Sequence, residues 1–284
     1  MTEETGGSAG TAIRVLLAAA AHPGKFGRPL VSFGCVSSTN DAALELAAQG
    51  APEGTAVVAD QQQRGRGRMG REWVSPLGGG LWCSLVLRPA LPLRELGPLA
   101  LVGAVAARAA IGRTAHVTCK VKWPNDLLVG GRKAGGILTE ASGGSLLCPP
   151  DFVVMGIGIN VNLGIADLPP ELRDRATSLS IAAGSPVPVA GLGAALLAEV
   201  ERAYGQFTET GFAALREEWI AGSETIGREV TVTGASILRG WAETIDMQGR
   251  LVLRLPDGRA EHIAAGDVSL AHAGSGSGPF AAGR

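Results

Sequence analysis

The chain has 284 residues, 46% of them hydrophobic and 18% charged, with 25 Lys and Arg against 26 Asp and Glu and a formal net charge of −1. It is long and apolar enough for one large domain with a small one attached, which excludes a disordered protein. The near-neutral balance also excludes a global basic field for gripping long nucleic acid, so any anion binding has to be local.

In chain order, residues 1–12 read as a disordered tail and Thr11–Ala21 as a helix. The apolar run Val15–Ala21 is too short and too poorly flanked for a signal peptide or a membrane span, so a soluble, cytoplasmic protein with no membrane partner is expected. An apolar stretch then ends in Ser37-Ser38-Thr39-Asn40 and precedes Asp41–Ala48, which stops at Gly50, the pattern of a strand running into a capped helix. Thr55–Ala59 and Leu81–Leu87 are short strands. Between them Gln61–Trp73 packs four arginines and three glycines into the eight residues Arg64–Arg71, predicting a mobile cationic loop that wraps anions. Glycine lets backbone approach a ligand, and arginine offers a charged planar fork suited to carboxylate and phosphate.

Gly97–Ile111 is helical, and the alternation in Val117–Lys122 predicts a half-buried strand that delivers Trp123-Pro124-Asn125-Asp126. Leu127–Val129 and Ala134–Thr139 flank Gly130-Gly131-Arg132 as a hairpin, which sets Lys133 just past a tight turn on a rigid element. Phe152–Val161 is a buried strand carrying Gly156 and Gly158, and glycines there cost stability unless something packs close to them. Two helices fill Val189–Gly222. Beyond Gly227 the runs Val230–Val232, Leu238–Ile245, Leu251–Leu253, Glu261–Ile263 and Val268–Leu270 predict five short strands in a small β-barrel, followed by a second disordered tail after His272.

Cys35, Cys83, Cys119 and Cys148 sit in or beside apolar stretches without a CxxC pair and read as reduced, buried thiols. His22, His116, His262 and His272 are isolated, so neither a protein-built zinc site nor a histidine triad is expected. Taken alone, the arginine loop also fits an RNA-binding tail, and Lys133, Asn125 and Asp126 also fit a surface lysine and two turn-formers. Against those readings, a lysine, a carboxylate, an amide and tryptophans cluster about hairpin strands together with a second cationic loop.

Five ordered segments, Ser38-Thr39-Asn40, Gly65–Arg68 with Gly70-Arg71, Lys122–Asp126, Lys133 with Gly135–Leu138, and Gly156–Asn160, resemble the biotin protein ligase family over residues 31 to 271. The resemblance implies an ATP-dependent, AMP-forming biotin–[acetyl-CoA-carboxylase] ligase of the α+β class. Its mixed-sheet catalytic domain, packed with helices in the manner of class II aminoacyl-tRNA synthetases, would span residues 31–224, with an SH3-like small barrel at 225–272 and extensions at 1–30 and 273–284. Ser38, Thr39, Asn40, Gln62, Arg66, Gly67, Arg68, Lys133 and Gly136 would surround biotin. Arg66, Arg68, Arg71, Trp73, Asn125, Asp126, Lys133 and Asn160 would hold ATP or the adenylate, with Lys133, Arg68 and Asp126 catalytic. Three roles stay open for Asp126: helping the acceptor lysine lose its proton, binding metal, or orienting Lys133.

The implied substrates are ATP and biotin, with Mg²⁺ arriving on ATP and no protein-only metal cluster. The implied partner is the biotin carboxyl carrier domain of an acyl-CoA carboxylase, with a weak or ligand-dependent homodimer. About thirty residues precede the catalytic domain, too few for a winged helix-turn-helix, so a form without DNA binding is expected. Arg64, Met69 and Ala271 depart from the family pattern, and Ala271 puts the barrel's ATP contact in question. Lipoate and octanoate ligases or transferases of the same fold are the alternative enzymes, disfavoured by the paired Arg66/Arg68 loop and the Lys122–Asp126 segment. An RNA-binding module is the alternative from another class, disfavoured by the net charge and the single tyrosine.

Overall fold

A computed structural model describes residues 24–234 and 236–270 of the chain. The expected helix over residues 11–21, both tails, His22, His272 and Ala271 lie outside the described residues. The first seven strands are β1 (Leu30–Val36), β2 (Ala56–Gln62), β3 (Gly80–Leu87), β4 (Cys119–Lys122), β5 (Asp126–Val129), β6 (Arg132–Ser142) and β7 (Phe152–Asn160). They form one mixed sheet in the order β1-β2-β3-β7-β6-β5-β4. Only β1 and β2 are parallel, because the helix α1 (Thr39–Ala48) crosses between them, and the remaining neighbours pair antiparallel.

The strand sequences state which face each residue takes. In β7, Val153, Met155, Ile157 and Ile159 belong to the main core, whereas Val154 packs with Ala43 and Ala47 of α1. The other face therefore carries Gly156, Gly158 and Asn160, which is the alternation a two-sided strand requires. The main core is completed by α2 (Leu99–Ala115) and α4 (Val189–Thr210) stacked on the sheet, with α5 (Ala213–Ala221) behind them. Alanines and Gly103 let α2 lie close to the sheet, and a Cβ at Gly103 would stand 3.0 Å from Met155 Sδ and 3.2 Å from Ile137. The short helix α3 (Leu179–Ala183) and the 3₁₀ turns between Ile165 and Leu172 were not legible in the sequence, because they are too short to show a period.

The five C-terminal strands are β8 (Arg228–Thr233), β9 (Ile237–Ile245), β10 (Leu251–Arg254), β11 (Ala260–Ile263) and β12 (Asp267–Leu270), and each contains the expected run. They form an antiparallel sheet in the order β11-β10-β9-β8-β12, in which the last strand returns beside the first. Trp123 plugs the seam between the two sheets: it is 1% exposed and its indole donates to Gly249 O at 3.0 Å.

Two sequence expectations need correction. All four cysteines are unpaired, and burial pushes the Cys83 and Cys119 thiols up to about 12, but Cys35 and Cys148 are exposed. Cys35 lies on β1, an edge strand covered on one side only, and Cys148 sits in the excursion between β6 and β7. Ser38 occupies the N-cap of α1 in extended conformation but makes no side-chain cap bond. The carboxamide oxygen of Gln62 accepts from the Thr39 amide instead, at 2.9 Å, so a neighbouring strand supplies the cap.

Candidate active site

The glycine face of the sheet is the floor of a cavity of about 810 Å³. Cross-strand register aligns Trp82, Gly158, Gly136, Asp126 and Lys122 in one row and Ser84, Gly156 and Leu138 in the next. The glycines make room for neighbours. A Cβ on Gly158 would stand 2.8 Å from the Trp73 indole nitrogen, and one on Gly156 would strike the carboxamide of Asn40. Gly156→Ala is therefore expected to destabilise the fold by about 1–3 kcal/mol through overpacking. Chemical denaturation of the purified variant checks this, and parent stability would refute the contact.

Lys133 faces this cavity because of one irregularity. The β5–β6 register shifts between Leu127 and Leu128, so that Asp126 pairs with Gly136 while Leu128 pairs with Lys133. Lys133 and Gly136 are three residues apart and would lie on opposite faces of a regular strand; the extra residue puts both on the cavity side. The turn that starts β6 needs Gly130 and Gly131, at φ 56° and 75°, as a two-residue hairpin of this hand requires. Backbone bonds from Lys133 N to Arg175 O (2.8 Å) and from Thr177 N to Lys133 O (2.9 Å) clamp the bulged strand from its free side.

The Lys133 ammonium lies 2.6 Å from Asp126 Oδ1 and 5.3 Å from the centre of the Trp73 ring. Asp126 Oδ2 is 3.3 Å from the ammonium of Lys122, its cross-strand partner. Burial alone would raise the Asp126 carboxyl, but Lys133 and then Lys122 outweigh it and hold the group below its ordinary value. Asp126 is thus a fixed anion between two cations. Arg68 reaches in from the loop, 3.5 Å from Asn125 Oδ1 and 3.3 Å from Gly266 O, and burial lowers its pKa, with Asp267 opposing and Arg71 adding to the shift. It stays cationic at any physiological pH.

The arginine loop is a small hairpin of its own. Arg66 bridges Glu72, Trp73 N donates to Gly65 O at 2.8 Å, and Met69 and Gly70 turn the tip in the left-handed region. Arg71 pairs with Asp267 of β12 at 2.8 Å, and Lys122 donates to Val268 O at 3.2 Å, so the C-terminal sheet closes one side of the cavity. At the other end Thr39 donates to Gln62 Oε1 from its amide and its hydroxyl, and Gln62 Nε2 donates to Ser75 Oγ at 2.8 Å. The Trp73 indole N–H is buried in the cavity wall and has no hydrogen-bond partner among the described residues.

The chain is 41% identical over 250 residues to the bifunctional ligase/repressor BirA of Bacillus subtilis, covering 86% of this chain and 74% of that protein. It is 36% identical over 228 residues to the biotin–[acetyl-CoA-carboxylase] ligase of Paracoccus denitrificans, covering 78% of this chain and 92% of that one. Residues 32–160 match the Biotin/lipoate A/B protein ligase family, and residues 225–271 match the Biotin protein ligase C terminal domain. The chain belongs to the biotin protein ligase family. Its fold also matches the solved structure of the Aquifex aeolicus biotin protein ligase in complex with biotin and ATP, with a TM-score of 0.72 and 29% identity over 85% of this chain and 97% of that one.

Every residue that the family resemblance nominated lines this single cavity: Ser38, Thr39, Asn40, Gln62, Arg66, Gly67, Arg68, Arg71, Trp73, Asn125, Asp126, Lys133, Gly136 and Asn160. Several are already engaged by the fold. Asn125 donates to Ile137 O at 2.7 Å and Asn160 to Thr177 O at 3.0 Å, so each amide fixes a loop as well as facing the cavity. Sequence reasoning missed Asp174, Arg175 and Asp267 on the cavity wall, and Ser84, which is fully buried and donates to Asn40 Oδ1 at 2.6 Å. Asp174 and Arg175 carry no local signal, whereas Ser84 is a polar residue inside the apolar run Gly80–Leu87 and is visible as such.

Proposed function

We propose that this protein is an ATP-dependent biotin protein ligase that joins biotin to a lysine of a biotin carboxyl carrier domain through biotinyl-5′-AMP. The observation that carries the reading is the convergence of Lys133 and Lys122 on the one fixed carboxylate of Asp126, with Arg68 on the neighbouring Asn125, in a single cavity. In the first half-reaction the biotin carboxylate attacks the α-phosphorus of ATP, and the bond to pyrophosphate breaks. Two anions ~4 Å apart repel by about 1 kcal/mol in water but by about 4 at an effective dielectric near 20. The cations Lys133, Lys122 and Arg68 gathered about the single carboxylate of Asp126 offset that repulsion before the reactants meet, which lowers the barrier without a covalent enzyme intermediate.

In this reading Lys133 and Arg68 bridge carboxylate and phosphate, and the unpartnered Trp73 N–H and Asn160 line the adenylate side. Asp126 acts as an orienter. A carboxyl held below its ordinary value is a poor base for an acceptor ammonium with a free pKa of about 10.4, and its two short contacts fix the positions of Lys133 and Lys122. Among the described residues no group of three or more His, Cys, Asp or Glu is placed to hold a metal ion. Mg²⁺ would arrive on the phosphates of the incoming ATP. In the second half-reaction the carrier amine attacks the acyl carbon, the acyl–phosphate bond breaks and AMP departs.

We assign residues 31–224 to catalysis and 225–272 to the small C-terminal domain, which supplies Asp267 and the Val268 carbonyl to the cavity wall. Four unpaired cysteines support a cytoplasmic setting, and among the described residues no helix is long and apolar enough to cross a membrane.

The test is exchange of labelled pyrophosphate into ATP with biotin, lipoate or octanoate as the acid. Exchange with biotin alone is expected, and exchange with lipoate or octanoate but not biotin would transfer the assignment to those enzymes. Arg68→Ala should release the adenylate about tenfold faster, the size expected for one charge-assisted contact. The AMP formed without a carrier reports this escape, and a parent-like value would remove Arg68 from the adenylate site.

A further inference from the structure

Arg66 does not point a free cation into the cavity. Its guanidinium meets Glu140 of β6 in a two-pronged contact, Nη1 to Oε1 at 2.9 Å and Nη2 to Oε2 at 2.7 Å, and Nη2 also lies 2.7 Å from Asp41 Oδ1. Glu140 is itself held: Asn40 Nδ2 donates to its Oε2 at 2.8 Å, and buried Ser84 donates to Asn40 Oδ1 at 2.6 Å. A continuous chain of hydrogen bonds therefore runs from the sheet interior, Ser84 to Asn40 to Glu140, and ends on the arginine loop. Gly156 leaves the space that Asn40 occupies in that chain.

From this geometry we infer that Glu140, seconded by Asp41, is a positioning residue that pins the arginine loop over the cavity through Arg66. The inference rests on the ligase reading for its consequence but on the contacts alone for its mechanism. With two carboxylates on it, the Arg66 charge is already matched, so its attraction for a further anion is weak, whereas its geometry is that of a fixed bidentate pair. Arg68 and Trp73 lie two and seven residues further along and depend on that pin for their place in the cavity. Isolated surface pairs contribute little, but here the carboxylate is anchored by a buried network, which spares much of the entropy of fixing it.

Two readouts test the assignment. Trypsin cuts after arginine, and the loop offers Arg64, Arg66, Arg68 and Arg71, so opening of the loop registers as cleavage between residues 64 and 72 without any need for activity. Glu140→Gln, which keeps the shape and loses the charge, is expected to be cut there about tenfold faster at an unaltered melting temperature, with Glu140→Asp intermediate. In parallel, AMP formed from biotin and ATP without a carrier should rise about tenfold as adenylate escapes, and Glu140→Asp should restore part of the retention. Parent-like cleavage and parent-like escape in folded Glu140→Gln would overturn the pin. If that variant does not fold, Arg66→Gln breaks the same contact from the loop side, and cleavage at Arg64, Arg68 and Arg71 must accelerate in it or the inference fails. A parent protein that performs no biotin-dependent exchange would sink the ligase reading while leaving the cleavage result to decide the pin.

Discussion

Lys133→Ala is expected to lower biotin-dependent pyrophosphate exchange by about a hundred- to a thousandfold, the loss seen when one preorganised charge-stabilising group is removed from an active site. The fold should survive the change. Lys133 is tied into the structure by its backbone, through Arg175 O and Thr177 N, and Asp126 keeps Lys122 as a counter-ion when the Lys133 ammonium is gone. The Trp73 ring loses the cation 5.3 Å above it, which costs about 1 kcal/mol at most at a partly exposed site. Exchange assayed beside thermal melting separates the two effects. A folded variant that makes adenylate at the parent rate would remove Lys133 from the chemistry.

Asp126→Asn should damage both stability and turnover, because it leaves two ammonium groups facing each other without the carboxylate that separates them. Removing one partner of a fully buried pair costs about 3–5 kcal/mol. The Lys133 side chain is 36% exposed, so the expected loss here is discounted to about 1–3 kcal/mol. Its pH dependence has a definite sign. The folded carboxyl sits below its ordinary value, so its stabilisation is present above the unfolded value of about 3.9 and is lost as pH falls through the lower, folded one. The stability difference between parent and variant should be constant from pH 5 to 8 and shrink only below pH ~4. A difference that titrated between pH 5 and 7 would contradict an Asp126 held by Lys133 and Lys122.

The sequence by itself determined the strands, the longer helices and the chemical inventory. Alternation in Phe152–Asn160 marks a strand with one apolar face and one face of glycines, and the structure uses those glycines as a cavity floor. Short runs separated by Gln248-Gly249 and Asp257-Gly258 mark five C-terminal strands, and each was found. These signals are local: a strand's period and a turn's φ requirement are written within a few residues, and so is the concentration of arginine and glycine in the loop.

What only the tertiary structure decided is where those groups point and what neutralises them. A register shift between Leu127 and Leu128 turns Lys133 to the cavity face, and no residue type in the hairpin announces it, since a bulge is settled by the pairing of two strands. The loop that reads as a free cationic arm is fastened by Glu140, 74 residues from Arg66, and by Asp267, 196 residues from Arg71. The four cysteines look alike in sequence, yet two are exposed, because an edge strand and a hairpin excursion leave them uncovered. Charge, periodicity and turn chemistry are properties of short segments. Facing, ion pairing and burial depend on partners far along the chain, and those partners are fixed only once the sheet order is.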